Sequence, residues 1–371
     1  MAFSVPQNAP PTPDELEVSL FGPGVGECVV IHLGYGQWMV VDSCVDTRSK
    51  RPIALDYLSA LNVDIKEQLQ WIVVSHWHND HMRGAAEIVR QAPKAILLCS
   101  AALRIKEFYQ LVSASTHDKL GTNDLPEFAE IFEILRQRSP HSKVPSTGIE
   151  WVKSDQMIYS RPLTEERQGV LVHALSPSSD TFTMAQLEFA PFLPEYKAPK
   201  RRPVAISPNR VSITLWVRFG NARVLLGSDL EECGVPTMGW QGILASPNRP
   251  TGPVQIFKVP HHGSETAHND EVWKQMVQSD AVAIMTPYLS GPKPLPSDAD
   301  VARIKARTDY VYCTAPRTGF RSMPRRDRAV EKIMQRQLRA VAGPMGHVRL
   351  RMDSRSTAGP KVELFSPAHS L

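Results

Sequence analysis

The sequence predicts a layered α/β domain, and three observations support that prediction. Short apolar runs with strand character alternate along the chain with segments of helical character. Several of these runs end in an acidic residue or a histidine, as is typical of loops held at one edge of a rigid sheet. The composition, 42% hydrophobic and 22% charged, is that of an ordinary globular protein.

The predicted elements follow a regular order in both halves of the chain. In the first half we predict strands at 16–21, 27–33, 71–74 and 95–99, and helices at 54–61, 85–91 and 127–138. In the second half we predict strands at 212–219, 223–226, 254–259, 281–285 and 310–313.

The remaining segments fit one domain with insertions. We predict a flexible tail at 1–13 and a single domain at 14–371. Insertions fall near 101–165 and 177–208, and a basic helical insertion falls near 321–345. The second insertion holds six prolines, which indicates an irregular wall or lid: Pro177, Pro191, Pro194, Pro199, Pro203 and Pro208.

The most informative motif is His76-Trp77-His78-Asn79-Asp80-His81, directly after the apolar run 71–74. Imidazole and carboxylate groups are the usual ligands of zinc and similar divalent ions. A strand that opens into a turn can arrange closely spaced side chains around one point. The motif therefore predicts a metal site, and the alternative is a polar turn whose histidines contact nothing.

Three further apolar runs end in residues of the same chemical kind. The run 38–41 is followed by Asp42, and the run 224–226 leads through Gly227-Ser228 to Asp229. The run 254–260 leads to His261-His262-Gly263-Ser264. Four strand ends thus present acidic and imidazole groups, an arrangement typical of a catalytic site.

In this order of motifs the chain resembles the metallo-β-lactamase superfamily. The order that matches is Asp42, His76-x-His78-x-Asp80-His81, Asp229 and His262. Four segments resemble the hydrolase domain of the ComEC competence proteins and its free-standing relatives: 209–215, 225–231, 258–264 and 310–314. The resemblance spans roughly residues 16 to 350 and implies a four-layer αββα fold with insertions.

The resemblance also implies a set of metal ligands. His76 and His78 would hold a first ion, Asp80, His81 and His262 a second, and Asp229 would bridge two zinc or manganese ions. A metal-bridged hydroxide would then attack the substrate. Asp42 is expected to support the histidine loop rather than to bind metal, although a ligand role stays open.

One departure from the superfamily concerns the middle of the chain. Many members place another metal-binding histidine after a Pro-Gly turn, whereas here 175–180 contains none. His173, Asp180 and Asn209 are the substitutes that the sequence offers. The first ion is thus left with two sure nitrogen ligands.

Several residues near these motifs are candidates for contacts with substrate. His261 is a candidate leaving-group acid, but a substrate contact or a packed side chain is also open. Ser264 follows a glycine in a turn that can bind a phosphate. Arg83 and Arg317 could also contact a phosphate, or they are ordinary surface charges.

Charge is distributed unevenly along the chain. From 317 to 355 there are ten Arg and one Lys against three acidic residues, so this segment carries +8 and the remainder −4 of the net +4. Its centre, 325–342, has the spacing of an amphipathic helix with a basic outer face, which includes Arg325 and Arg326. A second basic cluster lies at 197–202. Such patches attract nucleic acid, and the alternative is a solvated surface.

Composition also limits the cellular setting. No apolar run approaches the roughly 18 residues of a membrane span, so no membrane contact is expected. The start of the chain lacks the pattern of a signal peptide. Because secreted lactamases need export, this argues against an antibiotic-degrading role. The five scattered cysteines suit reduced thiols in the cytoplasm.

These observations favour a metal-dependent phosphodiesterase, most simply a nuclease acting on DNA. The same metal chemistry would serve a small-molecule hydrolase acting on a lactone, a thioester or a cyclic nucleotide. A non-catalytic partner-binding module is a third reading. Free-standing relatives also suggest a protein partner, including one in an antiviral defence system.

Overall fold

The structure, a computed structural model, describes residues 8–104, 125–138, 148–189, 208–290, 293–317 and 344–371. Eight strands of the described chain form a first sheet: β1 (Glu15–Gly22), β2 (Cys28–His32), β3 (Trp38–Val41), β4 (Leu69–Val74), β5 (Ile96–Ser100), β6 (Ile149–Val152), β14 (Gly346–Asp353) and β15 (Lys361–Phe365). Their spatial order is β15-β14-β1-β2-β3-β4-β5-β6.

A second sheet is built from the other eight described strands: β7 (Gln156–Arg161), β8 (Val170–Ala174), β9 (Leu215–Phe219), β10 (Ala222–Leu226), β11 (Val254–Lys258), β12 (Val277–Met285), β13 (Val311–Cys313) and β16 (His369–Ser370). Their spatial order is β16-β13-β12-β11-β10-β9-β8-β7.

Helices cover the outer faces of both sheets. The described helices are α1 (Ile53–Ala60), α2 (Ile65–Gln68), α3 (Asn79–Met82), α4 (Ala85–Gln91), α5 (Leu125–Arg138), α6 (Ser179–Phe189), α7 (Gly239–Ala245), α8 (Asp270–Met276) and α9 (Asp298–Lys305). Apolar residues of α1, α4 and α5 pack on the first sheet. Those of α7, α8 and α9 pack on the second.

The two sheets pack face to face on a shared apolar core. Alternation along β1 shows how the sequence produces this layer: Leu16, Val18 and Leu20 point into the core between the sheets. Glu17 and Ser19 therefore point to the opposite face of the first sheet, where they are also fully buried. The mixed α/β fold with two large sheets and outer helices agrees with the predicted four-layer architecture.

Parallel pairing brings the ends of several strands to one edge of the molecule. In the first sheet β4 pairs parallel with β3, with Val73 opposite Val41. In the second sheet β11 pairs parallel with β10, with Lys258 opposite Leu226. Because parallel strands end at the same edge, the residues that follow these four strands are brought close together.

Part of the sequence prediction needs correction. Residues 177–208 were expected to be irregular, but 179–189 form helix α6. None of the six prolines lies within 179–189, so nothing there interrupts a helix. Strands β6 and β7 extend the two sheets from within the segment 101–165.

Other predictions fall wholly or partly outside the described residues. These are the basic helix near 321–345 with Arg325 and Arg326, the basic cluster 197–202, and positions 1–7 of the predicted tail. None of the helices in the described ranges is long and apolar enough to cross a membrane.

Candidate metal centre

Four strand ends deliver the polar residues of the site. Asp42 follows β3, and the loop that carries His76 and His78 follows β4. Asp229 lies three residues after β10, and His262 lies four residues after β11. The predicted residues of both sheets thus converge on the edge where parallel strands end.

The six predicted ligands form a compact histidine–aspartate cluster. Ligand atoms of His76, His78 and Asp229 lie within 4.8 Å of one another, and so do those of Asp80, His81 and His262. The Oδ2 atom of Asp229 lies 3.2 Å from Nε2 of His81 and 3.9 Å from Nε2 of His76. It also lies 3.8 Å from Nε2 of His262. Asp229 is therefore shared by the two groups.

Hydrogen bonds orient the imidazole of His81. Its Nδ1 lies 2.8 Å from Oδ2 of Asp42, so the ring presents Nε2 to the cluster. Asp42 also accepts hydrogen bonds from the backbone N–H and the hydroxyl of Ser75, at 2.8 and 2.7 Å. Asp42 thus supports the histidine loop through its hydrogen bonds to Ser75 and His81.

The other two central imidazoles are held in a similar way. Nδ1 of His76 lies 2.9 Å from the hydroxyl of Ser75. Nδ1 of His262 lies 3.1 Å from the hydroxyl and 3.2 Å from the carbonyl oxygen of Thr286. In each ring the remaining nitrogen, Nε2, faces the cluster, which is the arrangement that metal-binding histidines show.

Several buried atoms of the cluster have no hydrogen-bond partner among the described residues. They are Nε2 of His81, Nε2 of His262 and Oδ1 of Asp229. A buried polar atom without a partner costs about 1–3 kcal/mol. Because the unpartnered atoms are nitrogen and oxygen donors that converge on one place, a divalent cation fits their chemistry.

The pKa shifts within the cluster also favour a bound cation. Burial alone lowers the pKa of His81, but the carboxylates of Asp229, Asp80 and Asp42 outweigh it and hold that pKa well above its usual value. Burial raises the pKa of Asp229, but the neighbouring imidazoles, that of His81 first, hold it well below its usual range. The carboxylates thus favour a positive charge at Nε2 of His81, where a metal ion would replace the proton.

His261 lies beside the cluster and has its own partners. Its Nδ1 lies 3.0 Å from Oε1 of Glu231, and its Nε2 lies 3.4 Å from the side-chain nitrogen of Asn209. Burial would lower the pKa of His261, but the hydrogen bond and charge of Glu231 raise it above its usual value. Asn209 thus contacts His261, and its Oδ1 is buried without a hydrogen-bond partner among the described residues.

The structure does not bring the other mid-chain candidates into the cluster. His173 lies on β8, and it belongs to none of the metal-capable groups of the described chain. Asp180, at the start of α6, accepts a hydrogen bond from the hydroxyl of Thr237. Neither side chain fills the place of the missing histidine.

The predicted substrate contacts are placed less favourably. Ser264 accepts a hydrogen bond from the backbone N–H of Thr266, so its oxygen caps a short turn. Arg317 forms an ion pair with Asp298 at 2.8 Å, and Arg83 is exposed next to α3.

Sequence reasoning missed three buried residues at this site. Glu27, Lys258 and Thr286 are 2%, 1% and 0% exposed. A lysine inside a buried strand was a usable signal, because a fully buried lysine requires a partner of opposite charge. Glu27 and Thr286 gave no such signal in the sequence.

Part of this chain matches the model of a known protein family. Residues 21–157 match the family model described as the metallo-beta-lactamase superfamily. The comparison with curated proteins gave no match.

Several solved structures are similar to the chain at low identity. One is MEM-A1, a subclass B3 metallo-beta-lactamase from a soil metagenome library, with 13% identity, 70% of this chain and 83% of that chain covered, and a TM-score of 0.33. Another is the metallo-beta-lactamase fold protein YhfI from Bacillus subtilis, with 12% identity, 66% and 70% covered, and a TM-score of 0.31. A third is the E377D mutant of CmlA beta-hydroxylase, with 15% identity, 67% and 36% covered, and a TM-score of 0.31.

The matched residues 21–157 contain the motif from His76 to His81, and the fold supplies Asp229 and His262 from the second sheet. The match over residues 21–157 and the α/β fold with two large sheets are both consistent with the metallo-beta-lactamase fold.

Proposed function

We propose that this protein is a metal-dependent phosphodiesterase that cleaves DNA. The observation that carries the proposal is the convergence of buried, unpartnered nitrogen and oxygen atoms of His81, His262 and Asp229. His76 and His78 would hold one ion, Asp80, His81 and His262 a second, and Asp229 would contact both. Divalent ions bound there would lower the pKa of a water to about 7 and offset negative charge on the substrate oxygens.

The remaining residues of the site would position the substrate. Nε2 of His261 faces Asn209, while Glu231 holds its other nitrogen. This geometry suits a group that contacts the leaving oxygen of a substrate bound over the histidine–aspartate cluster. No serine or cysteine nucleophile is needed for this chemistry.

The choice of DNA rests on two features of the sequence. The segments 225–231 and 258–264 resemble those of the ComEC hydrolase domain, and the segment 317–355 carries a net charge of +8, from ten Arg and one Lys against three acidic residues. Ion pairs use some of this charge: Arg349 pairs with Glu363 and Arg351 with Glu17. Six arginines and Lys332 between 318 and 343 would then be the main contacts to phosphate.

Cleavage assays test the proposal directly. Purified protein is incubated with labelled single- and double-stranded DNA in the presence of Mn²⁺, Zn²⁺ or Mg²⁺, with and without chelator. We expect cleavage that the chelator stops and that the Asp80→Ala and His81→Ala variants lack. His268→Ala is the matched control, because His268 forms a histidine–aspartate pair with Asp270 outside the cluster.

Two other outcomes would contradict the metal mechanism or favour the small-molecule hydrolase. Cleavage that persists in chelator and in the Asp80→Ala variant would contradict the metal mechanism. Turnover of a simple ester or lactone, without any DNA cleavage, would instead support the small-molecule hydrolase.

Binding assays test the basic segment separately from catalysis. Replacing Arg325, Arg326 and Arg328 together by glutamine should weaken DNA binding for all sequences alike. It should also reduce the slope of log affinity against log salt by about 1 for each phosphate contact that is lost. An unchanged slope would mean that these arginines do not contact DNA.

A further inference from the structure

We propose that Glu27 and Lys258 form a buried ion pair that positions the metal ligands of the two sheets relative to each other. This inference rests on the proposed metal-dependent function, and it concerns residues to which the resemblance assigns no role. Glu27 lies in the loop immediately before β2 of the first sheet, and Lys258 ends β11 of the second. Their side chains are ion-paired and almost fully buried.

Lys258 holds the backbone that carries Asp229. Its Nζ donates a hydrogen bond of 2.9 Å to the carbonyl oxygen of Ser228 and lies 4.0 Å from Oδ1 of Asp229. Ser228 has a φ of +44°, a left-handed conformation that a non-glycine residue adopts only when its surroundings hold it there. Its hydroxyl also donates to the carbonyl oxygen of Ile213, at 2.6 Å. The direction in which Asp229 points therefore depends on Lys258.

Glu27 contacts the supports of three ligands at once. One of its oxygens pairs with Lys258, and the other accepts a hydrogen bond of 2.7 Å from the hydroxyl of Thr286. Its backbone N–H donates to the carbonyl oxygen of Asp80, at 2.9 Å. Glu27 thereby links the histidine loop of the first sheet to the elements that carry Asp229 and His262.

The hydroxyl of Thr286 connects Glu27 to the imidazole of His262. A hydroxyl has one proton, and Thr286 donates it to Glu27, so its oxygen can only accept from Nδ1–H of His262. The carbonyl oxygen of Thr286 can likewise only accept, so the two oxygens together fix His262 as the tautomer whose Nε2 lone pair faces the cluster. The negative charge of Glu27 thus helps to select the form of His262 that can bind a cation.

The contacts favour a positioning role for Glu27 over a role as a ligand. Its carboxylate does lie within 4.8 Å of ligand atoms of His81 and Asp229. Both of its oxygens, however, are already engaged, one by Lys258 and one by Thr286. Glu27 also balances the charge of Lys258, which leaves the charge of Asp229 available to a metal ion.

A double-mutant cycle with a metal readout tests the pair. The variants are Glu27→Gln, Lys258→Met and the two combined. Affinities for Zn²⁺ and Co²⁺ are measured by competition with a chromophoric chelator, together with the visible absorption spectrum of the Co²⁺ form. We expect each single variant to bind the ions about 10- to 100-fold more weakly, with a changed Co²⁺ spectrum.

The double variant separates positioning from simple charge balance. It removes both charges, so its thermal unfolding midpoint should recover toward that of the wild type. If the pair positions the ligands, metal affinity and the Co²⁺ spectrum should stay altered in spite of that recovery. Recovery of stability, affinity and spectrum together would overturn the proposal.

Two further variants complete the design. Thr286→Val keeps the size of the side chain and both charges but removes the shared hydroxyl, so we expect weaker binding and a changed Co²⁺ spectrum. Glu17→Gln breaks another buried carboxylate pair, with Arg351, and should leave affinity and spectrum unchanged.

Three other outcomes distinguish a failure of the proposed function from a failure of the proposed role of the ion pair. If Glu27→Gln abolishes the binding of one ion while Lys258→Met leaves it intact, Glu27 is a ligand and the positioning role is wrong. If the wild-type protein binds no metal, the proposed function fails and this inference fails with it. Normal binding in the wild type and in all three variants of the cycle would overturn the pair's role alone.

Discussion

Two buried polar clusters of the molecule contain similar residues but differ in how completely their polar atoms are hydrogen-bonded. The histidine–aspartate cluster lies where the strands end. The outer cluster lies on the helix-facing side of β1 and β14, and it consists of Glu17, Ser19, Tyr57, His347 and Arg351. Both contain carboxylate and imidazole groups that are at most 2% exposed: His76, His81, Asp229 and His262 in the first cluster, and Glu17 and His347 in the second.

In the outer cluster the buried polar side-chain atoms have partners among the described residues. Glu17 accepts hydrogen bonds from the hydroxyls of Ser19 and Tyr57, at 2.9 and 2.6 Å, and from Arg351 at 2.8 Å. Nε2 of His347 lies 3.0 Å from the hydroxyl of Ser19. No buried side-chain atom of these five residues lacks a partner within the described chain.

The comparison teaches which buried ionisable groups indicate a binding site. Burial raises the pKa of Tyr57, with the charge of Glu17 adding to the effect, and burial lowers the pKa of His347 well below its usual value. Perturbed pKa values therefore occur in both clusters. Only the histidine–aspartate cluster also leaves donor atoms of several residues converging without partners, and that property is what a cation would satisfy.

The largest expected difference between the clusters is in catalysis. Asp229→Asn should reduce DNA cleavage by at least about 1000-fold, equivalent to about 4 kcal/mol of lost transition-state stabilisation, because the shared carboxylate is gone. Glu17→Gln should change the rate per folded molecule very little. Rates at saturating DNA and metal, corrected for the folded fraction, are the measurement, and equal losses in both variants would break the comparison.

The next expected difference is in stability and has the opposite pattern. Glu17→Gln leaves the mostly buried Arg351 without its carboxylate, so we expect a loss of about 3–5 kcal/mol in the free energy of unfolding. Urea denaturation of the metal-free protein measures it. A loss below about 1 kcal/mol would show that the outer cluster does not depend on its ion pair.

The sequence predicted one of these clusters and not the other, for a physical reason. Asp42, His76 and Asp229 each lie within three residues of the end of an apolar strand, so the sequence could assign them to strand ends without tertiary information. The outer cluster joins β1 to β14, which is more than 300 residues later in the chain. No local pattern reports a pairing at that distance.

The same reason explains the residues that sequence analysis missed within the site. Glu27 pairs with a lysine on the other sheet, and Thr286 follows β12. Neither interacts with a neighbour in the sequence, so periodicity gives no indication of them. His173 and Asp180 were predicted near the missing ligand because of their position in the chain, but the directions of their side chains depend on packing.

A buried imidazole outside both clusters, that of His32, should make the free energy of unfolding depend on pH. His32 on β2 is fully hydrogen-bonded: its Nδ1 lies 2.9 Å from the carbonyl oxygen of Glu15, and its Nε2 accepts from the backbone N–H of Gly36. Burial lowers its pKa from 6.5 to about 4. Between those two values the unfolded chain binds a proton that the folded chain does not, so stability is lost as pH falls.

The expected loss from His32 is at most about 3 kcal/mol between pH 6.5 and pH 4. The His32→Gln variant should lack this contribution, whatever its stability at neutral pH. Chemical denaturation of both proteins at several pH values in this range, in chelator, gives the difference. Parallel curves for the two proteins would show that His32 accepts a proton in the folded state as readily as in the unfolded one.

The smallest expected effect links metal directly to folding. An ion that binds only the folded protein raises the free energy of unfolding by about 2.7 kcal/mol at a concentration 100 times its dissociation constant. Adding Zn²⁺ should therefore stabilise the wild type and the Glu17→Gln variant by the same increment, because the outer cluster has no unpartnered donor atoms to offer. In Asp229→Asn at the same Zn²⁺ concentration the increment should shrink, since weaker binding contributes less. Thermal unfolding in chelator and in buffered Zn²⁺ measures all three proteins, and an equal increment in Asp229→Asn would place the bound ion elsewhere.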